Sequence, residues 1–114
     1  MTDNAIPDEN LIAHSLNLKE LVNYQIGSVV SRTIIDKKAG TLTLFAFAAG
    51  QGLSEHTTPF DAFVYILDGE AEITIDKKKT SSLNEGQMII MPANKPHQLK
   101  ANKPFKMMLV MIRA

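Results

Sequence analysis

Two histidines, each placed after a glycine turn, are the residues of this 114-residue sequence best suited to chemistry. His56 follows Gly50, and His97 follows Gly86. An imidazole can bind a metal ion or exchange a proton near neutral pH. Each histidine enters a β-rich segment, where its ring could contact a small molecule or a metal ion.

Short strands separated by turn signals make up most of the sequence and must position these histidines. β-branched, apolar or alternating stretches predict strands over 28–35, 41–47, 62–67, 70–75, 87–91, 97–100 and 105–112, with a further short strand over 80–83 and a hairpin at Asp68-Gly69. This spacing is typical of an all-β sandwich or small barrel. Asn17 and Glu20 resemble a capping box and predict one short amphipathic helix over 17–22. We expect a loose N-terminal arm over 1–14 and a single domain over 15–114.

The two glycine–histidine segments resemble the signature motifs of the cupin superfamily. The first segment, about 50–69, has matching residues at Gly50, His56 and Gly69. The second, about 86–101, matches at Gly86, Pro92 and His97, whereas Asn94 and Ala101 replace a glycine and an asparagine of the family motif. The resemblance implies a small single-domain cupin, whose fold is a double-stranded β-helix, or jelly-roll barrel, with inward-pointing histidines.

The resemblance also places a cavity inside the barrel. Because strand side chains alternate, His56 and Thr58 are expected to share a face, and Val64 to follow an inward Ala62. The predicted cavity residues are His56, Thr58, Ala62, Val64 and His97. Phe63, Tyr65 and Leu67 then form an apolar outer row, which something should cover. Because members of the family commonly dimerise through their sheets, the resemblance implies a homodimer.

A divalent metal such as Zn, Mn, Fe or Ni is a cofactor that the resemblance implies, but the ligand set of this sequence is incomplete. Thr58 and Ala62 stand where the family has a second histidine and a glutamate, so only His56 and His97 carry over. Gln51 or Asp61 could supply a third ligand. A catalytic metal generally needs three protein ligands. We therefore favour two hydrogen-bonded histidines in a half-polar pocket over a metal site.

A protein that binds a small organic molecule in its barrel is the function that this pattern favours. The alternative is a metal-dependent enzyme of small metabolites (an isomerase, dioxygenase, decarboxylase or lyase) that uses His56 and His97. The sequence leaves open whether the protein is an enzyme.

The composition excludes several other classes. A formal net charge of zero argues against a nucleic-acid partner, since phosphate binding needs an excess of basic residues. Without cysteine, the chain has no disulfide framework, zinc ribbon or thiol nucleophile. No segment approaches the ~20 apolar residues of a membrane helix, and the acidic N-terminus is unlike a secretory signal. We therefore expect a cytoplasmic protein with neither nucleic acid nor membrane among its partners.

Overall fold

Eight antiparallel strands form the protein, for which the computed structural model describes residues 8–113. The strands are β1 Val29–Lys37, β2 Gly40–Phe47, β3 Gly52–His56, β4 Asp61–Ile75, β5 Lys79–Asn84, β6 Met88–Met91, β7 His97–Lys100 and β8 Phe105–Ile112. Two single turns of 3-10 helix, Glu9–Leu11 and Leu18–Glu20, precede them. Within the described residues, no helix is long and apolar enough to cross a membrane.

The strands make two faces of one curled sheet, and β4 belongs to both. Its first half lies between β8 and β6 in a five-stranded face with the order β1-β2-β8-β4-β6. Its second half lies between β7 and β5, and β3 extends this second face beyond β7. The all-β cupin barrel predicted from the sequence is confirmed.

The predicted hairpin at Asp68-Gly69 is wrong, because the segments on either side of it do not pair with each other. They belong to one continuous strand that passes from one face of the sheet to the other, with an irregularity in its pairing to β8 between Ile66 and Asp68. Gly69 lies at this corner with a φ of 78°. A Cβ atom at Gly69 would collide with the carbonyl oxygen of Pro104, so the corner requires glycine.

The barrel interior is apolar. Val64 and Ile66 point inward as the alternation predicts, and both are fully buried. At the end of the barrel next to Gly69, the rings of Phe47 and Phe105 stack with centroids 4.5 Å apart. Further buried residues close the interior, and they lie on strands β4 to β8 or directly after β7: Ala71, Ile73, Leu83, Met91, Leu99, Ala101 and Met107.

A second apolar cluster lies outside the five-stranded face, under the segment that precedes β1. Leu18, Leu21 and Val22 pack there against strand residues that include Leu67 and Tyr65. The predicted helix over 17–22 is wrong in extent, since only Leu18–Glu20 is helical and the side chain of Asn17 makes no capping bond. So short a helix has little stability of its own, and packing on the sheet determines the conformation instead.

The same cluster supplies part of the cover that the apolar outer row was expected to have. Tyr65 and Leu67 pack with residues of the chain's own N-terminal segment, and the homodimer stays a prediction. Arg32 fastens this segment by donating to the carbonyl oxygen of Leu21 at 3.1 Å and by pairing with Asp8 at 3.5 Å. Residues 1–7 of the predicted arm lie outside the described residues, and the Glu9–Leu11 turn falls in its remainder.

Candidate functional site

The two histidines predicted from the sequence meet at one mouth of the barrel. His56 ends β3 and His97 begins β7, and the two residues are direct partners in the antiparallel pairing of these strands. Their Nε2 atoms lie 3.2 Å apart, and the ring centroids lie 4.4 Å apart in an edge-to-face arrangement. His97 is 2% exposed, whereas His56 is exposed to solvent. The pair therefore links the barrel interior to the outside.

Both ends of β4 reach this mouth, because the strand turns back at Gly69. The backbone N–H of Ala93 donates to the Asp61 carboxylate at 2.9 Å, and the N–H of Asp76 donates to the Pro96 carbonyl at 2.7 Å. We call this region the histidine mouth. It consists of His56, His97 and the segments 57–61, 76–79 and 92–96.

The hydrogen bonds of the pair determine its neutral tautomers. Nδ1 of His56 lies 2.9 Å from the carbonyl oxygen of Ser54, which can only accept, so this nitrogen carries a proton. Nε2 of a neutral His56 is then an acceptor, and the 3.2 Å contact requires that Nε2 of His97 donates. Nδ1 of His97 is buried, and no group within residues 8–113 lies in good hydrogen-bond geometry to it.

Burial lowers the pKa of His97 below its ordinary value, and the neighbouring charge of His56 lowers it further. The backbone of Lys95 opposes this shift in part. Desolvation disfavours the charged imidazolium, so His97 is neutral at pH 7. A neutral His97 can still donate from Nε2 to Nε2 of His56.

Thr58 is near the mouth, but its hydroxyl group is turned toward its own loop. It donates to the Phe60 carbonyl at 3.0 Å and accepts from the Phe60 N–H at 3.4 Å. The prediction that Thr58 shares a strand face with His56 is wrong, because β3 ends at His56 and Thr58 lies in the loop that follows. Ala62 and Val64 do face the interior, where they offer only apolar atoms.

Neither residue suggested as a third metal ligand is joined to the histidine pair. The Asp61 carboxylate accepts the Ala93 N–H, which ties it to the loop before β7. Gln51 lines a groove with Gln98 and Lys100. These two residues of β7 are exposed and alternate with the buried His97 and Leu99, so the groove lies on the outer face of the strand.

The histidine mouth does not fit a resident catalytic metal. Adjacent ligand atoms of a tetrahedral ion bound at about 2.1 Å lie ~3.4 Å apart, so two imidazole nitrogens 3.2 Å apart are close to the spacing of two of its four ligands. In the described part of the chain, however, no group of three His, Cys, Asp or Glu side chains could hold a metal ion. A site with two neutral ligands and no carboxylate lacks the donors that a catalytic metal needs.

One feature of the site that the two histidine motifs did not indicate is the basic character of its rim. The β1–β2 turn lies beside the mouth, because Ala39 accepts the N–H of Arg113 and Ile112 pairs with Asp61. Segments 36–39, 55–61, 76–79 and 92–97, together with Arg113, contain seven lysines and arginines against four acids. Two of these acids are engaged, since Asp61 accepts the Ala93 N–H and Glu55 lies 3.7 Å from Lys77.

Comparison with known proteins identifies the family. The family model described as Cupin domain matches residues 43–113, which span both histidines. The chain belongs to the cupin family. No protein with a curated description matches the sequence.

Solved structures agree with the assignment over nearly the whole chain. A conserved protein of unknown function from Streptococcus pyogenes is 37% identical, with 96% of each chain covered and a TM-score of 0.89. A cupin superfamily protein from Desulfitobacterium hafniense is 28% identical, with 95% of this chain and 98% of that chain covered and a TM-score of 0.87. A cupin 2 conserved barrel domain protein from Leptotrichia buccalis is 35% identical over 86% of this chain and 47% of that chain, with a TM-score of 0.82.

Proposed function

We propose that this cupin binds a small organic anion at the histidine mouth, without a resident metal. The observation that carries the proposal is the pair itself, in which a buried imidazole is hydrogen-bonded to an exposed one at the barrel opening. An exposed ring can contact a ligand directly, and the buried ring beneath it fixes its orientation.

Ligand size is limited by the packing of the barrel. The interior side chains nearest the mouth in register are Ala62, Met91 and Met111, and behind them lie the buried Val64 and Met107. This filling supports a small ligand held at the opening rather than a large one inside the barrel. Methionine side chains are flexible and adapt to an apolar ligand body.

The positive charge of the rim indicates the charge of the ligand. An excess of three positive charges at one end of a chain with zero net charge favours an anion there, since local fields raise the concentration of counter-charged ligands. The pair also lacks the carboxylate that would repel an anion or bind a cation strongly. A small carboxylate with a short apolar body would suit both the basic rim and the apolar interior.

A thermal-shift and calorimetry panel tests this function with butyrate, butylamine and butan-1-ol, which share one carbon chain. We expect butyrate to raise the unfolding temperature, because a ligand that binds only the folded state stabilises it, and the amine and alcohol to have little effect. His56→Ala is expected to abolish the shift. Gln98→Ala, on the opposite face of β7, serves as the matched control. Equal responses to all three compounds, or none, would contradict the anion proposal.

The alternative is a metal-dependent enzyme that uses His56 and His97, and metal analysis separates it from the metal-free binding protein. Protein purified without an affinity tag would contain a stoichiometric divalent metal, which His56→Ala and His97→Ala would both lose. Absence of metal from all three preparations would support the metal-free proposal.

A cytoplasmic location stays a prediction from the sequence.

A further inference from the structure

An ion pair at the histidine mouth spans the strand that carries His97. In the face formed by β5, β4, β7 and β3, strand β7 lies between β4 and β3, and His97 is its first residue. Lys77 lies in the turn that follows β4, and its ammonium group is 3.7 Å from the carboxylate of Glu55 on β3. Because Glu55 directly precedes His56, the pair places two opposite charges beside the strand ends that hold both histidines.

The turn that carries Lys77 is held in an unfavourable backbone conformation. Asp76 and Lys77 have φ values of 56° and 58°, where a tight hairpin usually has asparagine or glycine. The N–H of Asp76 donates to the Pro96 carbonyl at 2.7 Å, which ties the turn to the loop before His97.

Such backbone strain is concentrated at the histidine mouth. Among the described residues, three of the four non-glycine residues with positive φ belong to it: Asp76, Lys77 and Asn94. Strained residues persist only where other contacts sustain them, and they cluster at ligand sites. The strain therefore indicates that the turn presents Lys77 to the mouth for a purpose other than stability.

The ion pair itself is loose. An ammonium–carboxylate hydrogen bond is typically about 2.8 Å long, whereas this contact measures 3.7 Å. The Lys77 side chain is 71% exposed and that of Glu55 is 36% exposed, so water competes for both groups. Exposed pairs of this kind favour the paired state by a factor of about five or less. An anion from solution can therefore take the place of Glu55 at little cost.

We infer that Lys77 binds the anionic group of the ligand at the histidine mouth, and that Glu55 is an internal competitor for the same ammonium group. The inference rests on the proposed anion site and names the residue that recognises the charge. The ligand carboxylate replaces that of Glu55 on Lys77, beside the exposed ring of His56.

The presence of a competitor restricts which molecules can bind. A neutral molecule offers no charge to replace that of Glu55, so it leaves the ion pair intact. A cation would have to displace Lys77 from Glu55 against the excess of positive charge on the rim, which lowers the local concentration of cations. The pair therefore selects for small anions.

Isothermal titration calorimetry with butyrate at low ionic strength tests the inference on the wild type, Lys77→Met, Glu55→Gln and the double variant. We expect Lys77→Met to weaken binding at least about 10-fold, because the ligand loses its counter-charge. Glu55→Gln should strengthen binding up to about five-fold, since the competitor is removed. In the double variant this gain should vanish, because no ammonium group is left to compete for.

Lys103→Met is the matched control for the change in net charge. Lys103 is exposed in the turn before Phe105, at the opposite end of the barrel, so butyrate affinity should stay within about two-fold of the wild type. The substituted side chains are all exposed, so each variant should keep the circular dichroism and urea unfolding of the wild type.

Two results would overturn the inference while the proposed anion site stands. One is equal butyrate affinity in the wild type and Lys77→Met. The other is a gain from Glu55→Gln that persists in the Lys77→Met background, since Glu55 would then repel the ligand without competing for Lys77. Butyrate binding by none of the proteins would overturn the proposed function, and the inference with it.

Discussion

The two ends of the barrel differ in packing and in hydrogen bonding. At the end next to Gly69, which we call the aromatic end, Phe47 and Phe105 stack and the backbone approaches too closely for a Cβ atom. At the histidine mouth, a buried nitrogen of His97 has no hydrogen-bond partner in the described chain, and the rim is basic. The aromatic end is packed for stability, whereas the mouth retains an unsatisfied group of the kind that ligand sites have.

The two ends also differ in how their residues match the first cupin motif. Gly69, which matches the family pattern, makes the strand corner that the fold needs. Thr58 and Ala62, which depart from the pattern, stand at positions that bind metal in family enzymes. The fold therefore does not depend on the family's residues at these two positions, since the corner at Gly69 forms although Thr58 and Ala62 depart from the pattern.

Removing a ring from the aromatic end should have the largest effect on stability. Phe105→Ala is expected to lower the free energy of unfolding by about 3–5 kcal/mol, because it deletes a fully buried ring and leaves a cavity against Phe47. Urea unfolding followed by circular dichroism measures the change. A loss below about 1 kcal/mol would mean that this end is not the tightly packed one.

Gly69→Ala should have the next largest effect, since it combines backbone strain with a collision against Pro104. We expect a loss of roughly 2–4 kcal/mol in the free energy of unfolding. Gly27→Ala is the matched control, because Gly27 has a similar φ of 70° but no atom within 4 Å of the added Cβ. The control should lose only about 1 kcal/mol. Equal losses would show that the collision contributes nothing.

At the histidine mouth, an apolar substitution should change stability little. His97→Leu removes an unpartnered buried nitrogen together with the hydrogen bond to His56, whose Nε2 can turn to water. We expect the free energy of unfolding to change by less than about 1 kcal/mol. Leu99→Ala, on the same inward face of β7, should lose about 2–4 kcal/mol. If both variants lose a comparable free energy of unfolding, the mouth contributes as much to stability as the core, and the contrast between the two ends fails.

The smallest effect concerns pH. Because the pKa of His97 is lowered in the folded state, the unfolded state takes up this proton first as the pH falls below about 6.5. The wild-type protein should therefore lose stability between about pH 6.5 and the lowered pKa of the folded state. The free energy of unfolding of His97→Leu should fall less steeply over this window, which urea unfolding of both proteins at a series of pH values measures. If both proteins lose the same free energy of unfolding as the pH falls, the pKa of His97 is not lowered.

The fold was largely predictable from the sequence, because strand alternation and glycine turns are local signals. The inward positions of Val64 and Ile66 followed from period-two alternation once the resemblance had placed Ala62 inward. The meeting of His56 and His97 needed the motif spacing as well, since no local signal pairs β3 with β7.

Other features depended on tertiary contacts that no local pattern encodes. The Asp68-Gly69 dipeptide has the composition of a hairpin turn, but the pairing of β4 with β6 and β8 turned it into a corner. Thr58 followed a strand that ended earlier than expected, because Pro59 cannot continue the pairing. The cover on Leu67 comes from residues more than forty positions earlier in the chain.

The central position of β8 has a consequence for how the molecule assembles. This strand is inserted between β2 and β4, although it follows both of them in the sequence. The five-stranded face therefore cannot close until residues 105–112 have left the ribosome, and until then two long strands have unpaired edges. Such non-local pairing slows folding and exposes nascent strands to aggregation, so substitutions in β8 should reduce the yield of native protein more than their equilibrium effect implies.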